Sequence, residues 1–212
     1  MGDSLERIGA DVRACRACKL CERRSVGVPG EGSPTAEILF IGEGPGFHED
    51  QQGRPFVGAA GQLLTEMLGV INLRRQDVFI TNVVRCRPPG NRDPLPDELE
   101  ACDAYTQRQI AVLAPQLIVT LGRYSMARFI GLGSMRDLHG RTREWNGITC
   151  LAMYHPAFIL RTPTVEMKRI YADDFRKIPV LLDAARKKQM ALAATASAAE
   201  ARAAPLDQLP LF

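Results

Sequence analysis

The chain has 212 residues, 46% of them hydrophobic and 24% charged, which is enough length and apolar content for one α/β domain, with or without a tail. Its formal charge of +3 is too small to argue for a nucleic-acid partner by itself. No segment reaches the roughly 20 apolar residues of a membrane span, and the N-terminus lacks the apolar core of an export signal, so the expected location is the cytoplasm.

The first segment reads as a helix that delivers "CRACKLC" and breaks at "GVPGEGSP", where Gly and Pro oppose helix continuation. "AEILFIGEG" is a short apolar run ending in glycine, the pattern of a buried parallel strand that feeds a ligand loop. "AGQLLTEMLGVI" follows with apolar residues at helical spacing, and a second strand, "DVFITNVV", runs into the loop "RCRPPGNRDPLP". Asp97 is the expected cap of the next helix, which reaches about Ala114 and carries Glu98 and Glu100 in its first turn. "PQLIVTLG" is a third buried strand and "RYSMARFIG" a short helix. "RTREWNGITCLAMY" alternates about Asn146-Gly147, a two-residue hairpin signal, and its second arm ends at "HPAFILR". A helix from residue 166 to about 189 comes last, before the low-complexity stretch "ALAATASAAEARAA", read as a flexible or weakly helical tether.

The repeated strand–helix order predicts a three-layer αβα fold around a central, mostly parallel four-stranded sheet, with residues 1–189 as the folded domain and 190–212 as the tail. Ligands of such sheets sit outside the carboxyl ends of the strands, and that rule gathers Glu43, Asn82 and His155 at one cleft. Two basic clusters suit an anionic backbone: Arg13, Arg16, Lys19, Arg23 and Arg24 among the first cysteines, and Arg85, Arg87 and Arg92 in the Pro-rich loop. Solvated surface is the plain alternative for each. The six cysteines, without an export signal, point to metal, catalysis or burial rather than to disulfides.

The loop "GEGPGFHEDQQGRPFVGAAG" has glycines at 42, 44 and 46 that let backbone approach a ligand, but it lacks the Gly-Lys-Ser/Thr of a Walker loop and the spacing of a dinucleotide site. With "TNVVRCRPPGNRDPLPDE" and "HPAFILR" following in order, these strings resemble the motifs of family 4 uracil-DNA glycosylases, the iron–sulfur branch of that superfamily. The likeness runs from about Cys15 to about Arg161.

The resemblance implies four [4Fe–4S] ligands at Cys15, Cys18, Cys86 and Cys102; a CxxC pair alone suits zinc equally well. Cys21 offers a rival ligand and is read as spare, and Cys150 as a buried thiol on the last strand. The resemblance further implies that the enzyme flips deoxyuridine out of DNA, single- or double-stranded, and hydrolyses its N-glycosidic bond. Gly42 and Gly44 then line the base site, Phe56 stacks on the base, and the amide of Asn82 reads uracil N3–H and O4. His155 stabilises charge on uracil O2, while Leu160 and Arg161 enter the duplex or hold phosphates. Gly44 stands where some branches carry an aspartate, so Glu43 and Glu49 are the carboxylates left to orient water; Glu49 has a second reading, exclusion of the thymine methyl.

No lysine lies in these motifs to form a Schiff base, so lyase activity is not expected. Alternatives within the likeness are a uracil-linking protein, which uses a histidine in an inserted loop absent from "VVRCRPPGNRDPLPDE", and a noncatalytic nucleic-acid-binding domain. The terminal "PLDQLPLF" resembles a sliding-clamp docking peptide, with Gln208, Leu209, Leu211 and Phe212 as anchors. The expected partners are thus uracil-containing DNA and that clamp, with the chain itself a monomer.

Overall fold

The computed structural model describes residues 2–203, and side chains through residue 195. The clamp-type anchors Gln208, Leu209, Leu211 and Phe212 lie outside the described residues. Helix α1 (Leu5–Ala14), capped by Ser4, leads through a 3-10 turn (Lys19–Glu22) to the two-residue strand β1 (Glu31–Gly32). Strand β2 (Ile38–Gly42), helices α2 (Phe47–Gln52) and α3 (Ala59–Val70), and strand β3 (Phe79–Asn82) follow. Then come α4 (Pro96–Leu113), β4 (Leu117–Leu121), α5 (Arg123–Phe129) and α6 (Met135–Leu138). The hairpin β5 (Thr142–Trp145) and β6 (Ile148–Met153), the short α7 (Pro156–Arg161) and the long α8 (Val165–Ala203) complete the chain.

The sheet has six strands in the order β1-β3-β2-β4-β6-β5. Its four central strands are parallel and are the four expected; β1 and β5 add antiparallel edges and correct the strand count. β1 has only two residues inside a Gly-rich segment, so no alternation announces it. The hairpin forms as expected, with Asn146 at φ 47° and Gly147 at φ 82°, as a turn matched to strand twist requires.

Successive residues of one strand feed opposite layers, and this is why the central strands are apolar without a break. Phe40 packs with Leu64 and Leu68 of α3 and with Tyr171, Phe175 and Ile178 of α8, whereas Leu39 and Ile41 pack with Ile110 of α4 and with Met126 and Phe129 of α5. Each fully buried Leu, Ile or Phe stabilises such a core by about 1.5–3 kcal/mol. The αβα expectation holds.

Two local readings change. α4 begins at Pro96 with Leu95 at its cap position; Asp97 lies inside the first turn, and Glu98 accepts the Leu95 N–H at 2.8 Å. α8 runs past the expected end near residue 189, because its alanines favour helix. Among the described residues, no helix is long and apolar enough to cross a membrane.

Candidate active site

Gly42 ends β2 opposite Asn82 at the end of β3, and the strand order reverses direction beside β2, which opens a crevice at the carboxyl edge. A Cβ on Gly42 would lie 2.5 Å from both Asn82 Oδ1 and Phe56 Cζ, so only glycine lets the amide and the ring meet there. Asn82 is buried, and its Oδ1 has no hydrogen-bond partner. A buried acceptor without a donor costs about 1–3 kcal/mol, a penalty that a ligand N–H removes.

Phe56 holds a left-handed backbone, φ 51°, that a bulky residue adopts only when its surroundings enforce it. Here Arg75 enforces it: its Nη1 donates to the Phe56 carbonyl at 2.9 Å and its Nη2 to the Pro55 carbonyl at 2.8 Å, with Glu31 anchoring the same guanidinium. Gly61 allows the carbonyl in, since a Cβ there would stand 1.8 Å from it. The buried ring lies 5.6 Å from that of His155, tilted 30°.

His155 caps α7, where its Nδ1 accepts the Ala157 N–H at 3.1 Å. That bond leaves the proton of the neutral ring on Nε2. Burial, helped by Arg161 and opposed by Glu49, lowers the His155 pKa to about 4, so the imidazole is uncharged near neutrality. The preceding Tyr154 is held by stacking between His139, 4.8 Å away, and Phe158, 5.1 Å away. Phe56, Asn82 and His155 share one cleft of about 330 Å³ with Glu43, Gly44 and Glu49. Arg161 lines it, and Leu160 stands 44% exposed beside it.

The two carboxylates differ in what they already hold. Glu49 Oε1 accepts from Val57 and Gly58 N–H, both at 2.8 Å, and Oε2 from Gly46 N–H at 3.1 Å, so it pins α2 to the start of α3. Glu43 accepts the Arg123 and Tyr124 N–H groups on Oε1 alone, at 2.8 and 3.3 Å, and no hydrogen bond engages Oε2. Burial raises the Glu43 pKa above the ordinary carboxylate value, against the pull of those N–H groups. Gly122, at φ 103°, makes room, for a Cβ would lie 2.6 Å from Glu43 Oε1. Gly122→Ala should therefore lower stability by about 1–3 kcal/mol, read as a fall in the urea midpoint. An unchanged midpoint would mean that the turn yields freely.

The cysteines gather at the other end of the Pro-rich loop. Cys86 and Cys102 are buried with Leu20 and Val84, and Cys18 packs against them. Burial raises the pKa of Cys18 and Cys102 and takes Cys86 to about 11; Cys15 lies close enough for its charge to act on both Cys18 and Cys102. Among the described residues, no three His, Cys, Asp or Glu groups converge as ligands of one metal ion. Arg24 Nη1 donates to Cys86 Sγ at 2.9 Å, and its Nη2 donates to the Arg13 and Cys15 carbonyls. Cys150 is buried on β6, as expected.

The two basic clusters differ: Arg13, Arg16, Lys19 and Arg23 are exposed, whereas the cluster of the Pro-rich loop is not one open surface. Arg85 is 1% exposed and points into the protein, and Arg92 forms a bidentate pair with Glu98. Arg87 lies over the exposed Phe47 ring and donates to Asn91, which lines the cleft. Gly122, Gly61 and Arg75 escape a sequence reading because their roles depend on how the chain folds back on Glu43 and on the Pro55–Phe56 turn.

Residues 29–176 match the family model described as the uracil DNA glycosylase superfamily. The chain is 47% identical, over 186 residues, to a type-4 uracil-DNA glycosylase of Sulfurisphaera tokodaii, with 83% of this chain and 84% of that one covered. It is 44% identical to the type-4 enzyme of Saccharolobus solfataricus, with 85% of this chain and 91% of the relative covered. A type-4 enzyme of Thermotoga maritima is 42% identical, with 82% and 92% covered.

Proposed function

Because the chain belongs to the uracil DNA glycosylase superfamily, we propose a residue-level account of how its cleft turns over deoxyuridine in DNA. The reaction hydrolyses the N-glycosidic bond, releases uracil and leaves an abasic site. The observation that carries the assignment of roles is the buried, unpartnered Asn82 Oδ1 on the floor of the cleft. A flipped uracil offers N3–H to that atom and O4 to the amide N–H, whereas cytosine presents the opposite order and would leave both partners unmatched.

Phe56 stacks on the base, and the bare edges of Gly42 and Gly44 allow the approach. The neutral His155 donates Nε2–H to uracil O2 as negative charge develops there. Glu43 Oε2 holds the attacking water and faces the cationic sugar; Glu49 is the frame that fixes α2. Leu160 and Arg161 on α7 contact the strand from which the nucleotide leaves.

Glu43→Gln should lower kcat by about 10²-fold. The wild-type rate should fall as pH drops through the raised pKa of Glu43, because only the carboxylate takes a proton from water. The Gln variant should lose that acid limb in single-turnover cleavage of a uracil-containing oligonucleotide. A persisting limb assigns the base elsewhere.

Cys15, Cys18, Cys86 and Cys102 would hold a [4Fe–4S] centre: Cys18, Cys86 and Cys102 pack together, Cys15 lies close enough to act on Cys18 and Cys102, and thiolates are the ligands such a centre takes. Two buried, unpartnered guanidinium nitrogens of Arg85 support an anionic group there. Holding such a centre, Cys15 and Cys18 of the N-terminal segment would be tied to Cys86 of the Pro-rich loop that walls the cleft, and hydrolysis would call on it for no electron transfer. Cys21 is left outside this ligand set.

The chain works as a monomer in the cytoplasm, with residues 1–189 as the glycosylase domain and 190–212 as a tail that docks on the sliding clamp. Deleting residues 207–212 should weaken clamp affinity at least tenfold, about 1.4 kcal/mol, in a titration, with uracil release unchanged. Equal affinity would remove the docking role.

A further inference from the structure

Among the described residues, Arg85 has the largest fully buried side chain and is 1% exposed. Its Nη2 donates to Thr106 Oγ1 at 3.0 Å and to Gln109 Oε1 at 2.8 Å, both neutral acceptors, while Nε and Nη1 have no partner. The groups close enough for their charge to act on it are the Cys102 thiol first, then the Cys86 thiol, then the Asp103 carboxylate. Asp103 is already bonded to Arg128 Nε at 2.7 Å and to Gln107 at 2.6 Å. A guanidinium taken out of water with two N–H-bearing nitrogens unsatisfied is among the costliest features a core can hold. Packing cannot be its purpose, since a leucine or methionine fills such space without the penalty.

We propose that Arg85 is a positioning residue for the iron–sulfur centre, supplying from the protein interior the positive charge that its thiolate-bound cluster requires. This rests on the cluster reading of the four cysteines. A centre held by four thiolates is anionic, and nearby charge and N–H groups set both its retention and its reduction potential. Arg24 complements it from the solvent side, where it braces Cys86 Sγ and the carbonyls of residues 12, 13 and 15. The sequence places Arg85 directly before Cys86, and the structure turns it inward.

The test compares anaerobically prepared full-length protein with its Arg85→Met, Arg85→Lys and Thr106→Val variants, by iron and sulfide content per chain and by midpoint potential. A methionine in place of a buried charge commonly preserves the fold. Arg85→Met should hold severalfold less iron, and what remains should have a more negative potential, because lost positive charge disfavours the reduced state. Arg85→Lys and Thr106→Val keep the charge and should stay near the wild type in both measures. Wild-type iron and potential in Arg85→Met would overturn the proposal, as would equal losses in all three variants. Should Arg85→Met yield no folded protein, Arg85→Lys decides: a retained centre at wild-type potential supports the role, and a lost one refutes it. Wild-type protein without iron and sulfide would instead remove the cluster reading itself, and this inference with it.

Discussion

His155→Ala should lower kcat for uracil release by roughly 10²–10³, with KM little changed. The imidazole is neutral because burial takes its pKa to about 4, and the Ala157 N–H on Nδ1 directs the remaining proton to Nε2. A neutral donor matches the reaction, since it meets little charge in the bound substrate and much in the departing base; the lost energy therefore falls on the transition state. Truncation also removes the cap of α7, which costs about 1 kcal/mol of stability and leaves the fold intact. The measurement is single-turnover cleavage with saturating enzyme, beside an affinity titration with the same oligonucleotide. A loss confined to affinity would move His155 from the chemistry to DNA binding. Since the imidazole is already neutral well below pH 6.5, the wild-type profile should show no histidine limb near neutrality.

The αβα layering was legible because each central strand is apolar on both faces and each helix repeats its apolar residues at helical spacing. β1 was not, since two residues contain no period. Among the candidate site residues, Gly42, Glu43, Phe56, Asn82 and His155 line or border one cleft, as the rule for strand ends anticipates. What a residue's charge faces was beyond the sequence. Arg85 looks like its half-buried neighbour Arg87 until folding places it against Thr106 and Gln109. Glu49 and Glu43 look interchangeable until three backbone N–H groups occupy one of them and leave an oxygen free on the other. The Asp97 cap failed for a related reason: Pro96 moved the helix start forward, and Glu98 supplied the acceptor.

Asn82→Asp should cost the most, on the order of 10⁴-fold in kcat/KM for deoxyuridine. The substitution keeps the size of the side chain and keeps an acceptor for N3–H, but it replaces the donor that meets O4 with a second oxygen. An ionised carboxylate would then set lone pairs against lone pairs in a space with little water, where such a mismatch is far dearer than at a surface. Protonation offers one escape, and the apolar surroundings of Phe56 and the β3 end favour it, so residual activity should rise as pH falls. That slope is opposite to the one expected of Glu43, which the variant keeps, so its profile should rise as pH falls and turn down only where Glu43 itself is protonated. Cleavage of matched oligonucleotides bearing uracil, across the acidic range, would read it. If Asn82→Asp keeps wild-type kcat/KM, the amide does not read the base, and specificity must come from the shape of the cleft alone.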